Sequence, residues 1–146
     1  MNPLKIYLAG RCKGLMDGGK EWRSSAKMIL NTIAEAIGTK VVVFDPTNYF
    51  GYDEKKHKTQ KQIKDYYFNT IKHCDIVLLN LNGTEYSIGT AQEVQYAVDN
   101  NIPVIGFGTE HVYTWLSEVD CQVCFDSIHE ALDYIRDYYI LSGMYD

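Results

Sequence analysis

Short, continuously apolar runs alternate with longer helical stretches, and this alternation restricts the chain to few folds. We predict five strands from the runs. They are LKIYLAG (4–10), VVVF (41–44), DIVLLNL (75–81), IPVIGF (102–107) and CQVCF (121–125). Because the runs are apolar throughout rather than at every second position, both faces of each strand should be covered, as in a parallel sheet.

Apolar residues at three- and four-residue spacing fill the segments between these strands, and Gly38 follows the first such segment where a helix C-cap would lie. We predict helices over 22–37, 60–73, 93–100 and 127–141, and a helical turn over 112–116. Right-handed crossovers then give an α/β, doubly wound parallel sheet in strand order 2-1-3-4-5, covered by helices on both faces as a three-layer sandwich.

Length and charge restrict the function classes. A chain of 146 residues that is 46% hydrophobic fits a single domain over 1–146. Its net charge of −5 argues against a nucleic-acid polymer as partner, because no broad basic face is available to displace counterions. With no apolar run of about 20 residues and no signal-peptide pattern, we expect no membrane partner and a cytoplasmic location.

The four cysteines are too sparse for a disulfide-built secreted scaffold, which also fits a reducing compartment. Cys121 and Cys124 form a CxxC, but no second CxxC or close pair of histidines accompanies it. Metal or redox chemistry at this pair is one interpretation. We favour ordinary half-buried thiols and expect no metal site.

Ligands of doubly wound sheets bind beyond the carboxyl ends of the strands, so the loops there are the candidate site. The loop GRCKGLMDGG after strand one matches neither the dinucleotide fingerprint nor the phosphate loop of nucleotide triphosphatases. Its backbone N–H groups, with Arg11 and Lys13, could still hold one phosphate or a sugar hydroxyl. The alternative is a flexible connection without a ligand.

The stretch SIGTAQEVQYA (87–97) is more informative. Ser87 and Thr90 are good N-cap residues, and Gly89 would let a ligand approach the backbone closely. With Ser87 as N-cap, the helix dipole would keep Glu93 ionised, as a nucleophile requires. The alternative is a capping box in which Glu93 pairs with Thr90.

The helix before strand three carries two further polar candidates. Asp65 and Asn69 are four residues apart and therefore lie on one helical face. The aromatic residues between them suit core packing or stacking on a planar base, with packing the default.

Several of these segments together resemble the nucleoside 2-deoxyribosyltransferase family and its relatives that hydrolyse nucleoside monophosphates. The matching segments, spread over residues 4–107, are KIYLAGR, VFDP, NxxxxCDIVLLNL and SxGTxxExxYAxxxxxPVI. The resemblance implies a flavodoxin-like fold without a cofactor, acting on a nucleoside or nucleotide. It also implies that Glu93 attacks the anomeric carbon and forms a glycosyl ester.

Other positions carry over from the same resemblance. Tyr7, Gly10 and Arg11 match the strand-one motif that lines the sugar and base site, and Asp45 matches a carboxylate after strand two. Ser87 and Gly89 would hold the sugar or its 5′-phosphate. Serine rather than aspartate at position 87 avoids repulsion of a phosphate and favours nucleotides as substrates.

One departure from the family bears on catalysis. Asn69 stands at or near the position of a family aspartate that orients groups and manages a proton, and an amide cannot supply an acidic proton. Either the register shifts to Tyr67, or Asp65 substitutes, or the activity is weak or altered. The alternative function is a catalytically silent module that binds or senses nucleotides.

The family also implies a homo-oligomer, a dimer or higher, because the C-terminal segment of one subunit often completes a neighbour's site. Tyr145 and Asp146 are the candidates for that role in this chain.

Overall fold

A computed structural model describes residues 2–48 and 59–143. Its centre is one five-stranded parallel sheet in the order β2-β1-β3-β4-β5, which confirms the predicted fold class and strand order. The strands are β1 (Leu4–Ala9), β2 (Val41–Phe44), β3 (Ile76–Asn80), β4 (Val104–Phe107) and β5 (Val123–Phe125). Since every neighbouring pair is parallel, all the carboxyl ends lie along one edge.

Helices connect the strands across both faces of the sheet. They are α1 (Lys20–Ile37), α2 (Gln60–Lys72), α3 (Ile88–Asp99) and α4 (Ile128–Ile135). A π-helical turn, Arg136–Ile140, and a last helical turn, Leu141–Gly143, continue α4. No helix in residues 2–48 or 59–143 has the length and apolarity that crossing a bilayer would require.

Two hydrophobic clusters form the core, one on each face of the sheet. Ile6, Leu8 and their equivalents on neighbouring strands pack against α1 and α4. Tyr7 and Leu79 point the other way, toward Ile71 of α2 and Val94 of α3. This alternation along strands covered on both sides explains why the strands read as continuous apolar runs.

The structure corrects some predicted boundaries. Helix α3 begins at Ile88 rather than at residue 93, because Ser87 caps it. The turn predicted over 112–116 is a π-helical segment, Trp115–Asp120, and β5 begins only at Val123.

Candidate active site

Tyr7 and Glu93 meet at the carboxyl edge of the sheet. Tyr7 lies on β1 and is buried, and its phenol donates a hydrogen bond to Glu93 Oε2. Glu93 is in the second turn of α3, whose N-cap is Ser87. The capping-box alternative is therefore wrong, since the Thr90 N–H donates to Ser87 Oγ and the Glu93 carboxylate turns toward β1.

Burial governs the charge of Glu93. It raises the pKa of the carboxyl from 4.5 to about 7, whereas the hydrogen bond from Tyr7 and the positive charge of Arg23 oppose the rise. The expectation that the helix terminus alone keeps this group ionised is thus too simple. Near neutral pH the protonated and ionised forms coexist, and small changes around the carboxyl decide which one dominates.

Tyr7 stays protonated beside that carboxyl. Burial raises the pKa of its phenol well above 10, and the neighbouring Glu93 charge raises it further. Tyr7 therefore acts as a fixed neutral donor that favours the ionised form of Glu93.

The positive charge behind the site comes from Arg23, a residue that sequence reasoning missed. Its side chain is 1% exposed and donates to the carbonyl oxygens of Leu8 (3.3 Å), Gly10 (2.8 Å) and Gly19 (2.9 Å). It thus ties the end of β1 to the start of α1. The available signal was its position, because Arg23 falls in the buried stripe of α1 with Ala26, Leu30 and Ala34.

Asp45 follows β2 and lies beside Arg23. The Arg23 Nε and the Asp45 Oδ1 are 4.0 Å apart, and both side chains are 1% exposed. Asp45 Oδ1 also accepts from the Thr47 N–H (2.9 Å) and hydroxyl (2.6 Å), whereas Oδ2 is buried with no hydrogen-bond partner in the described parts of the chain. An unpaired buried carboxylate oxygen is costly, and a ligand hydroxyl would satisfy it.

The glycine-rich loop after β1 is an ordered turn. At Gly19, φ is +78°, and a Cβ atom would lie 2.4 Å from Arg23 Nη1. At Gly10 a Cβ would be 3.0 Å from the Trp22 ring. The loop therefore needs glycine at position 19, whereas a side chain at position 10 would require the Trp22 ring to shift by a few tenths of an ångström.

Arg11 lies beside the segment that leads into α3. Its guanidinium lies over the Tyr86 ring, 5.0 Å from the centroid, and its Nε donates to the Lys13 carbonyl oxygen at 3.1 Å. It thereby links the loop after β1 with the residues that precede Ser87. This places a half-buried cation beside the N-terminus of α3.

The first turn of α3 is open to a ligand at Gly89. A Cβ atom there would meet no heavy atom within 4 Å, and the residue is exposed. Ser87 Oγ lies 2.6 Å from Thr90 Oγ1 and is half-buried. Glu93, Ser87 and Gly89 are thus presented by successive turns of one helix, next to Tyr7 and Arg11 on β1 and its loop.

Tyr67 of α2 is electrostatically coupled to Glu93. Its phenol donates to the Pro46 carbonyl oxygen at 3.2 Å, and burial raises its pKa, with the Glu93 charge as the next cause. Of the alternatives left open by the sequence, the register that places Tyr67 in the site fits this geometry.

Asp65 and Asn69 are not brought to Glu93. They lie two residues before and after Tyr67, on the other side of α2, and both are exposed. Asp65 pairs with Lys61 at 2.6 Å, and the backbone carbonyl oxygen of Asn69 contacts His73 Nδ1 at 2.8 Å. Their part in a reaction stays a prediction that no contact of the described residues supports.

The sequence matches the family model for nucleoside 2-deoxyribosyltransferase over residues 6–132. A comparison with curated proteins finds no match.

Solved structures of similar architecture include two deoxyribosyltransferases. The 2-deoxyribosyltransferase of Leishmania mexicana is 18% identical with a TM-score of 0.70, covering 94% of this chain and 99% of its own. The 2-deoxyribosyltransferase of Bacillus psychrosaccharolyticus is 18% identical with a TM-score of 0.66, covering 94% of both chains. A CMP N-glycosidase from Clostridium botulinum is 19% identical with a TM-score of 0.54, covering 92% of this chain and 99% of its own.

Proposed function

Because the chain belongs to the nucleoside 2-deoxyribosyltransferase family, we propose that it cleaves or transfers the N-glycosidic bond of a 2′-deoxynucleoside or its 5′-monophosphate. The observation that carries this proposal is the hydrogen bond from Tyr7 to Glu93 at the carboxyl edge of the sheet. It holds a buried carboxylate in one orientation, with a pKa of about 7.

Glu93 is the proposed nucleophile. One of its carboxylate oxygens attacks the anomeric carbon of the sugar, the C–N bond to the base breaks, and the electron pair of that bond leaves with the base. The product is a glycosyl ester of Glu93. Water or a second base then attacks the same carbon from the opposite side, releasing the carboxylate with net retention of configuration. The acceptor loses one proton in this step, which balances the proton that the departed base anion takes up.

The transition state carries positive charge on the sugar, and the ionised Glu93 stabilises it electrostatically. Tyr7 supports the reaction by favouring that ionised form. Arg23 does the same through its charge, and its hydrogen bonds hold β1 and its loop in place.

The base leaves more readily when a donor stabilises its developing negative charge. Tyr67 fills this position on α2 in our proposal, because its phenol is protonated at neutral pH and is electrostatically coupled to Glu93. To donate to the base, the phenol exchanges its hydrogen bond to the Pro46 carbonyl oxygen for one to the base. A phenol of this kind donates a hydrogen bond rather than a proton. Asp65 and Asn69 were predicted to orient or protonate groups of the substrate. For them to do so, α2 would have to move or the residues around it would have to be arranged differently.

The 5′ side of the substrate is assigned to the start of α3. Ser87, the backbone at Gly89 and the positive end of the helix dipole can hold an anion, and Arg11 adds a cation from the neighbouring loop. Since no carboxylate stands at position 87, a 5′-phosphate would meet donors instead of repulsion. Asp45, whose Oδ2 has no partner among the described residues, is proposed to accept a sugar or base hydrogen bond.

A homo-oligomer is part of the proposal. Four apolar side chains near the start of α3 and the π-helical segment are strongly exposed: Ile88 80%, Val112 77%, Trp115 67% and Val119 73%. Exposed apolar side chains of this kind suit an interface between subunits. The predicted contribution of Tyr145 and Asp146 falls on residues outside the described part of the chain.

A substrate panel tests the proposed function. The purified protein is incubated with deoxynucleosides, ribonucleosides and their 5′-monophosphates, with and without a free acceptor base, and the released or exchanged base is quantified by chromatography. We expect base release from at least one deoxy substrate, with preference for a 5′-monophosphate. Binding to several nucleotides without any release would instead identify the catalytically silent module, an alternative that the family match does not favour.

A further inference from the structure

Cys121 and Cys124 lie together over Gly106, on the α2 and α3 side of the sheet. A Cβ atom at Gly106 would be 2.8 Å from Cys121 Sγ and 3.1 Å from Cys124 Sγ. Cys124 stands directly opposite Gly106 in the β4–β5 ladder, and Cys121 ends the π-helical segment Trp115–Asp120. Because glycine has no side chain, the strand leaves room for two sulfur atoms at one point of the sheet.

The two thiols differ in exposure. Cys124 is exposed on the edge strand, whereas Cys121 is half-buried and packs against the cluster that contains Leu81 and Leu116. Both are free thiols, and Cys124 Sγ also contacts the Ser117 carbonyl oxygen at 3.1 Å. An exposed sulfur beside a sheltered one is the arrangement that thiol–disulfide chemistry uses, with the first attacking and the second resolving.

All four cysteines lie within the described parts of the chain, and among them only Cys124 has a lowered pKa. Burial raises the pKa of Cys12 and raises that of Cys74 to about 12. A hydrogen bond from Cys121 to Cys124 lowers the pKa of Cys124 and raises that of Cys121. Loss of the Cys124 proton would give up its contact with the Ser117 carbonyl oxygen, so this acidification is partial.

We propose that Cys121 and Cys124 form a reversible disulfide, a redox modification site separate from the nucleoside site. The oxidant is a peroxide, which Cys124 reduces. The Cys124 thiolate attacks one peroxide oxygen, the O–O bond breaks, and the other oxygen leaves and takes up a proton, giving a sulfenic acid on Cys124. Cys121 sulfur then attacks Cys124 sulfur, the S–O bond breaks, and water leaves with the Cys121 proton. In total the two thiols lose two electrons and two protons.

The disulfide would join the end of the π-helical segment to β5. Leu116 of that segment packs in the same cluster as Val94, which follows Glu93 on α3. Oxidation therefore fixes a segment that supports the helix carrying the proposed nucleophile. The inference about the thiols does not depend on the proposed function, because it concerns only their own chemistry.

Peptide mapping of the full chain tests the proposal. The protein is treated with stoichiometric hydrogen peroxide, all free thiols are alkylated under denaturing conditions, and the peptides are identified by mass spectrometry with and without prior reduction. We expect Cys121 and Cys124 to be protected from alkylation in a single intramolecular disulfide, with Cys12 and Cys74 alkylated throughout as internal controls. Reductant should restore alkylation of the pair.

Two variants sharpen the test. In Cys121→Ser, Cys124 lacks a resolving thiol and should accumulate as sulfenic acid, detectable with a dimedone-type probe, whereas Cys124→Ser should give no such signal. Full alkylation of both residues in the oxidised wild-type chain, or a disulfide involving Cys12, Cys74 or a second molecule, would overturn the proposal. The wild-type map decides the question even if neither variant folds.

Discussion

The Tyr7 phenol donates a hydrogen bond to the Glu93 carboxylate across a separation of 86 residues in the chain. The contact joins β1 to α3 at the edge of the sheet where the strands end. It fixes the orientation of a carboxylate whose pKa burial has raised to about 7.

Removing the Tyr7 hydroxyl should shift the pH dependence of activity. Tyr7→Phe keeps the buried ring but removes the donor that lowers the pKa of Glu93, so this pKa should rise by about one unit, the equivalent of a hydrogen bond to a charged group. The acidic limb of kcat/KM against pH, expected near 7 in the wild type, should move to higher pH. Activity at pH 7 should fall about fivefold, because the ionised fraction of Glu93 drops from about one half to about one tenth.

Tyr139→Phe is the matched control for that measurement, because it removes a tyrosine hydrogen bond to Gln122 on the C-terminal side of the fold. Its profile should coincide with that of the wild type. An acidic limb that stays in place in Tyr7→Phe would show that the contact does not tune Glu93.

Glu93 should make the free energy of unfolding depend on pH. Its pKa is about 7 in the folded protein and 4.5 in the unfolded reference, so the folded state binds the extra proton. The free energy of unfolding of the wild type should therefore be highest below about pH 4.5, and it should fall as the pH rises from there through about 7. Glu93→Gln should lack this loss and exceed the wild type above pH 7 by up to about 3 kcal/mol.

Urea unfolding at several pH values from 5 to 8 measures this difference, with the exposed Glu35→Gln as a control that should follow the wild type. A constant offset between Glu93→Gln and the wild type across this range would exclude the raised pKa.

Much of this architecture was predictable from the sequence, and the reasons are local. Continuous apolar strands and helical spacing predict the strand order, and the motif around Ser87 and Glu93 predicts the N-cap. The partner of Glu93 was not predictable from spacing, since Tyr7 reaches it only after the sheet has formed. Arg23 was missed because charged residues in helices are usually exposed, and only the fold shows the three carbonyl groups that compensate its burial.

Which residues of α2 face the site was equally hard to predict. Asp65 and Asn69 share a face, as their spacing predicts, but the packing of α2 turns that face to solvent and places Tyr67 toward the site. The choice between the faces depends on the packing of Ile71 and Phe68 against the core rather than on the polar residues themselves.

Gly89→Ala should separate binding from stability. Nothing lies within 4 Å of a Cβ at this position, so the free energy of unfolding should stay equal or rise by about 0.5–1 kcal/mol through the better helix propensity of alanine. If the substrate approaches the backbone there, the added methyl group should raise KM about tenfold or more. Steady-state kinetics and urea unfolding provide the two measurements.

Gly106→Ala is the contrasting variant, because its Cβ would lie 2.8 Å from Cys121 Sγ. We expect it to lose about 1–3 kcal/mol through overpacking. An unchanged KM in Gly89→Ala would show that the first turn of α3 is not part of the binding site.

The two arginines near the site should respond differently to substitution. Arg23→Met removes a buried cation and leaves three carbonyl oxygens and Asp45 without it, so it should destabilise the fold by about 3–5 kcal/mol. Arg11→Met should change stability by less than about 1 kcal/mol, since this side chain is partly exposed.

Arg11→Met should instead affect ligand binding. It should weaken the binding of a nucleoside 5′-monophosphate about tenfold while leaving the binding of the corresponding nucleoside unchanged. Isothermal titration with both ligands measures this ratio. Equal loss for both ligands would show that Arg11 does not face the phosphate.

The most direct test of the account is the mass of the protein quenched during turnover with a 2′-deoxynucleoside 5′-monophosphate. We predict an adduct equal to the deoxyribosyl phosphate group, located by fragmentation on the peptide that contains Glu93 and missing in Glu93→Gln, which should also release base at least about a thousandfold more slowly. Base release that continues at the wild-type rate in Glu93→Gln, or an adduct on another residue, would contradict the assignment of Glu93 as the nucleophile.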